Sequence, residues 1–143
     1  MNIYMISGPN LNMLGKRDSK LYGSLTLEEL YQLILESFPD HRFSFYQSNH
    51  EGQIIDMIHA LSDEPYDALI INPGGYTHTS IAIRDALELL SIPKIEVHLS
   101  NIEKREPFRK TDLIKDVCDQ RFMGKKEKSY IEAIEYIIKT YQR

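Results

Sequence analysis

The sequence predicts an α/β fold of the flavodoxin-like, doubly wound kind: a five-stranded parallel sheet in strand order 2-1-3-4-5, with helices on both faces. Three observations lead there. Short uncharged apolar runs, above all Ala68-Leu69-Ile70-Ile71, read as strands covered on both faces. Stretches with apolar residues at helical spacing separate them, and strands alternating with helices mean βαβ units with right-handed crossovers. A chain of 143 residues suits one domain, 1–143, and 2-1-3-4-5 is the compact solution at that length.

In chain order, Ile3-Tyr4-Met5-Ile6 is the first strand, stopped by Gly8-Pro9. Ser7 to Gly23 then forms a long polar loop of the kind that serves as a lid. Thr26 followed by Glu29 is a capping-box signature, and Leu27, Leu30, Leu33, Ile34 and Phe38 give the helix that follows its apolar stripe up to Pro39-Asp40. Phe43 to Gln47 alternates as the second strand, and Ile54, Ile55, Ile58 and Leu61 form the buried face of the next helix. Ala68 to Asn72 is the third strand, broken by Pro73-Gly74-Gly75. A helix starting near Thr79-Ser80 carries Ile83, Ala86, Leu87 and Leu90 inward. Lys94 to Leu99 is the fourth strand, Val117 to Phe122 a short edge strand, and Ser129 to Tyr141 an amphipathic final helix.

Composition excludes several function classes. The formal net charge of −4 argues against a general nucleic-acid footprint, which needs a clustered excess of Lys and Arg. The basic residues of 104–109 and 125–128 leave room for local anion sites. The single Cys118 has no partner for an internal disulfide, and no pair of cysteines offers zinc-ligand spacing, which together point to a reducing, cytoplasmic setting. There is no signal-peptide pattern and no run long enough to span a membrane, so no membrane partner is expected. Nucleotide-binding glycine motifs are missing. His78, His98 and Glu96 are the metal-ligand candidates, without a metal-motif spacing, and no metal or other cofactor is expected.

In doubly wound sheets ligands sit beyond the carboxyl ends of the strands, at the switch point between strands 1 and 3. Three polar clusters follow strand ends here: Asn10 and Asn12, Asn72 to His78, and Glu96 to Asn101. They should converge on one pocket beneath the lid. Tyr22 is either a loop-packing aromatic or a base. A free phenol, with a reference value near 10, is a poor base at neutral pH unless a cation such as Arg17 stabilises the phenolate. His98 is either structural or a proton donor, and Glu96, two positions away on the same strand face, is placed to orient it. Asn10, Asn12 and Asn72 are turn formers or donors to a developing oxyanion. No lysine stands out for a Schiff base; Lys94, at the start of its strand, is the only one within an apolar strand. A flavin- or phosphate-binding module and a signalling receiver share the architecture, but asparagines stand after strand 1 where a receiver has an acidic cluster and a flavin module a Ser/Thr/Gly loop, and Arg17 and Tyr22 of the lid fit neither.

Four segments carry a resemblance: GPNLNMLGKR at 8–17 with YG at 22–23, SNHEGQIID at 48–56, NPGGYTHTSIAIRDAL at 72–87, and IEVHLSNIEKREPFR at 95–109. The chain resembles the type II 3-dehydroquinate dehydratases of the shikimate pathway of aromatic amino-acid biosynthesis. The resemblance implies dehydration of 3-dehydroquinate to 3-dehydroshikimate by trans elimination through an enolate, with neither metal nor Schiff base. It implies Tyr22 as the base, made more acidic by Arg17; His98 as the acid, oriented by Glu96; and Asn10 as holder of the water or dipole at the enolate oxygen. It also implies Asn72, His78, Ser100, Arg109 and the backbone amides of Leu99 and Ser100 as substrate ligands, Asp85 as a residue reaching a neighbouring subunit's site, and a dodecamer built from trimers. The chain departs from the family pattern at Asp18-Ser19, where Glu-Pro is usual, so that the lid backbone is looser, and at Lys126 and Ser129, where glycines are common.

Overall fold

The computed structural model describes residues 1–143. Five strands, β1 (Asn2–Ser7), β2 (Arg42–Gln47), β3 (Ala68–Asn72), β4 (Lys94–His98) and β5 (Gln120–Met123), form one parallel sheet in the order β2-β1-β3-β4-β5. This is the predicted order. The helices are α1 (Ser19–Tyr22), α2 (Leu27–Ser37), α3 (Glu51–Ala60), α4 (Ile81–Leu89) and α5 (Glu127–Tyr141).

Because successive strand residues face opposite sides, β1 and β3 each feed two cores, while β4 feeds one and turns Glu96 and His98 to the other side. Ile3, Met5, Ile70, Ile95 and Val97 pack with Leu30, Ile34, Ile134 and Ile137 of α2 and α5. Tyr4, Ile6, Leu69 and Ile71 pack with Ile54, Ile58, Ile83 and Leu87 of α3 and α4. The Thr26 hydroxyl accepts from Glu29 N while the Glu29 carboxylate accepts from Thr26 N, so the capping box expected at the start of α2 is present. Ser80 caps α4 by accepting from Ile83 N.

Two elements differ from the sequence reading. The edge strand begins at Gln120, and Val117 instead ends a 3-10 turn, Lys115–Val117, packed under the α3/α4 side of the sheet. Its apolar side chain imitates a strand position. Within the lid, Ser19–Tyr22 is a single helical turn whose Asp18 carboxylate accepts from Lys20 N. The departure at Asp18-Ser19 therefore supplies a helix cap.

Register aligns the carboxyl ends of the first three strands, with Ser7 paired to both Gln47 and Asn72. The loops after β1 and β3 touch there. Gly8 N donates to Asn72 O at 2.8 Å, and a Cβ at Gly8 would lie 2.4 Å from the Pro73 carbonyl oxygen, so only glycine allows this approach. With α2 leaving to one face and α4 belonging to the other, the crevice opens above this junction.

Candidate active site

A cleft sits at the carboxyl ends of β1, β3 and β4, roofed by the lid. Of the residues singled out from sequence, Asn10, Arg17, Tyr22, Asn72, His78, His98, Leu99, Ser100 and Arg109 all line it. The predicted convergence of strand-end clusters is present, except that Asn12 lies in a separate depression beside Thr26. No Asp or Glu is among the 15 lining residues, while three are arginines, Arg17, Arg105 and Arg109. On a chain of net charge −4 this is a local inversion suited to an anion.

The wall above is Tyr22, at the end of α1. Arg17 Nη2 donates to its phenol oxygen at 2.7 Å, and the same guanidinium carbon lies 3.8 Å from the ring centroid. Arg105 adds a second cation, its Cζ 5.1 Å from that centroid, while its Nη1 donates to Ser100 Oγ at 3.2 Å. Sequence reasoning passed over Arg105. It stood in a basic stretch where nothing separated it from Lys104 and Lys110.

The floor is His98, at the end of β4. Its Nε2 lies 2.5 Å from Glu96 Oε2, confirming that the two residues share a strand face. Nδ1 has no hydrogen-bond partner in the protein, so it is the ring nitrogen left for the cleft. Burial pushes the imidazole well below its usual value, and burial together with the facing Asp112 carboxylate pushes the Glu96 acid well above the usual carboxylate range. Asp112 was not foreseen. Its Oδ2 accepts from Arg121 Nη1 at 3.0 Å, and its Oδ1 from the backbone of Ile114 and Lys115.

The remaining ligands are held by loops. Asn72 is clamped, its Nδ2 donating to Tyr130 Oη at 3.2 Å and its Oδ1 accepting from Gly74 N at 3.1 Å. His78 Nδ1 lies 2.7 Å from Thr111 O, which makes that nitrogen the donor and leaves Nε2 for a ligand. Arg109 is steadied by Glu106, 3.1 Å from its Nε. Asn10 takes a left-handed backbone, φ 69°, and its N–H donates to Asn49 Oδ1, which fixes this corner of the cleft. Asp85 lies on the exposed side of α4, outside the cleft of its own chain. Lys94 is at the opposite end of the sheet, its Nζ donating to the Leu87 and Leu90 carbonyls.

For a metal, the structure regroups the candidates: Glu96, His98 and Asp112 offer ligand atoms within 4.8 Å of one another, and His78 is not among them. A guanidinium already supplies the positive charge at that spot, through Arg121.

The family model for dehydroquinase class II matches residues 1–138. The chain belongs to the class II dehydroquinases. Among relatives of this dehydroquinase, the 3-dehydroquinate dehydratase of Thermotoga petrophila is 47% identical over 144 residues, covering 99% of this chain and 98% of the relative. That of Fusobacterium nucleatum is 43% identical with full coverage of both chains. The crystal structure of the type II dehydroquinase from Butyrivibrio crossotus superimposes with a TM-score of 0.92 at 46% identity, over 96% of this chain and 97% of that one. The cleft of this dehydroquinase thus unites most of the residues that the resemblance implied.

Proposed function

We propose that this class II dehydroquinase dehydrates 3-dehydroquinate to 3-dehydroshikimate, the hydro-lyase step of the shikimate pathway. The observation that supports it most is the pairing of a tyrosine hydrogen-bonded to an arginine with a buried histidine, in a cleft that carries three arginines and no carboxylate. Such a cleft accepts a small carboxylate and handles two protons at separate points.

The route is a trans elimination. Tyr22, its oxygen charge supported by Arg17, takes the C2 proton, and the C–H electrons become the C2=C3 bond of an enolate. Asn10 holds the water or dipole that meets the enolate oxygen. The enolate collapses to form C1=C2, and the C1 hydroxyl leaves as water with a proton from His98, whose ring is fixed by Glu96. Arg109, Ser100 and the Leu99 and Ser100 amides receive the carboxylate, and Asn72 and His78 the ring hydroxyls. No step in this route calls on a metal, a cofactor or a Schiff base.

Residues 1–143 act as one catalytic domain, working in the cytoplasm with a small-molecule substrate and neither nucleic acid nor membrane. Asp85, exposed on α4, reaches the cleft of a neighbouring subunit within trimers gathered as a dodecamer. No helix is long and apolar enough to cross a membrane.

The test is to add 3-dehydroquinate and follow the ultraviolet absorbance of the conjugated product, before and after borohydride treatment. A rise in both samples is expected. No rise from folded protein sinks the activity, and loss after borohydride points to a Schiff base.

A further inference from the structure

His98 and Glu96 stand on β4, but the group behind them comes from elsewhere. Asp112 lies in the segment before the Lys115–Val117 turn, and Arg121 on β5, paired in register with Glu96. The Glu96 side chain is fully buried and that of Asp112 is 4% exposed. Asp112 receives three donors: Arg121 Nη1 on one oxygen, and the Ile114 and Lys115 amides on the other. A carboxylate so surrounded is ionised. Although burial works against it, these hydrogen bonds and the one shared with Glu96 hold Asp112 below its ordinary value.

Glu96 Oε1, by contrast, is buried and meets no donor. The Asp112 carboxylate stands beside this side chain: one ligand atom each of Glu96, His98 and Asp112 lies within 4.8 Å of the others, and Asp112 is, after burial, what raises the Glu96 value. Two carboxylates in one dry site cannot both ionise cheaply. The one proton the pair retains belongs on Glu96, because both oxygens of Asp112 are already accepting.

We propose that Asp112, clamped by Arg121, is a positioning residue for the His98 acid. It keeps Glu96 protonated at Oε1, so that Glu96 Oε2 accepts the His98 Nε2 proton and Nδ1 becomes the nitrogen that carries the transferred proton. A neutral acid behind the ring stabilises an imidazolium less than a carboxylate would, so His98 gives its proton to the departing hydroxyl more readily. The other charged or titratable groups facing this cluster are Glu103, which accepts from the second Arg121 nitrogen, and Lys115, Cys118 and His78, and beyond Cys118 lie Lys94 and Asp119. None of them offers Glu96 Oε1 a hydrogen bond.

The inference rests on the reading of His98 as the acid, and its test is independent of turnover. The His98 ring is titrated by nitrogen-detected NMR in the wild-type chain and in Asp112→Asn, whose amide can donate to Glu96 Oε1 and so let Glu96 ionise. The wild-type ring should carry its neutral-form proton on Nε2 and titrate below a free imidazole. In Asp112→Asn its titration should rise by about one pH unit or more, and the alkaline limb of kcat should move up with it. Asp112→Ser, smaller and also able to donate, serves the same test if the asparagine variant does not fold. An unmoved titration in a folded variant, or a wild-type ring protonated on Nδ1 alone, overturns the inference. A moved titration in a chain without dehydratase activity overturns the proposed function, and with it the role of His98 as the acid, while the coupling of Asp112 to the His98 ring through Glu96 stands.

Discussion

Replacing Glu96 by glutamine should stabilise the fold increasingly as pH rises. Glutamine keeps both contacts, its carbonyl accepting from His98 Nε2 and its amide facing Asp112, but it has no proton to lose. Glu96 is fully buried, and burial with Asp112 opposite raises its native value far above the roughly 4.3 expected of the unfolded chain. For a group raised in the native state, the stabilising contribution is complete below the unfolded value. It falls as pH climbs towards the native one, because only the unfolded chain releases the proton. The slope is at most about 1.4 kcal/mol per pH unit, which gives a ceiling of about 4 kcal/mol between pH 4.3 and 7. Relaxation of the site and water entry on ionisation of a buried acid bring the expected change to ~1–3 kcal/mol. Asp112 has the opposite sign, losing its contribution as pH falls, but it is present in both proteins and cancels. Urea unfolding of both proteins at pH 4.5 and pH 8, at one protein concentration, reads the difference. A difference that does not change with pH would mean that Glu96 is ionised in the native state at an ordinary value, and would refute the reasoning.

Tyr22→Phe should leave KM within a few-fold, because the ring keeps its place between Arg17 and Arg105, while kcat falls by roughly 10²–10⁴, the usual contribution of a positioned base. Steady-state kinetics decides this, and unchanged turnover removes Tyr22 from the mechanism. Lys126→Gly should raise the thermal midpoint by about 3 °C, for ~1 kcal/mol. Lys126 sits at φ 56°, ψ −136°, where a side chain is strained, just before α5. A lower midpoint on a calorimetric scan would show that the strain is not there.

The sheet was legible because its signal is local. Ala68 to Ile71 is apolar throughout, and the alternation in Lys94 to Leu99 places Glu96 and His98 together before any tertiary contact is known. The pairing of Arg17 with Tyr22 spans five residues and one helical turn, so it too was readable. What stayed hidden depends on register between elements. Asp112 and Arg121 meet Glu96 only because β5 pairs with β4 so that Glu96 faces Arg121, a relation that no spacing in the chain displays. Arg105 is hidden for a related reason, since its place over Tyr22 needs the lid and the turn after β4 to come together. The four-residue α1 is too short for a periodic signal, and its Asp18 cap reads equally well as loop.

The central claim is that Tyr22 and His98 act on opposite ends of one elimination. It is tested most directly with 3-dehydroquinate carrying deuterium at C2 on the side trans to the C1 hydroxyl. The account predicts product free of the label, with turnover of Tyr22→Phe too slow to release it in the same time. Label retained in the product, with the other C2 proton lost, would contradict it.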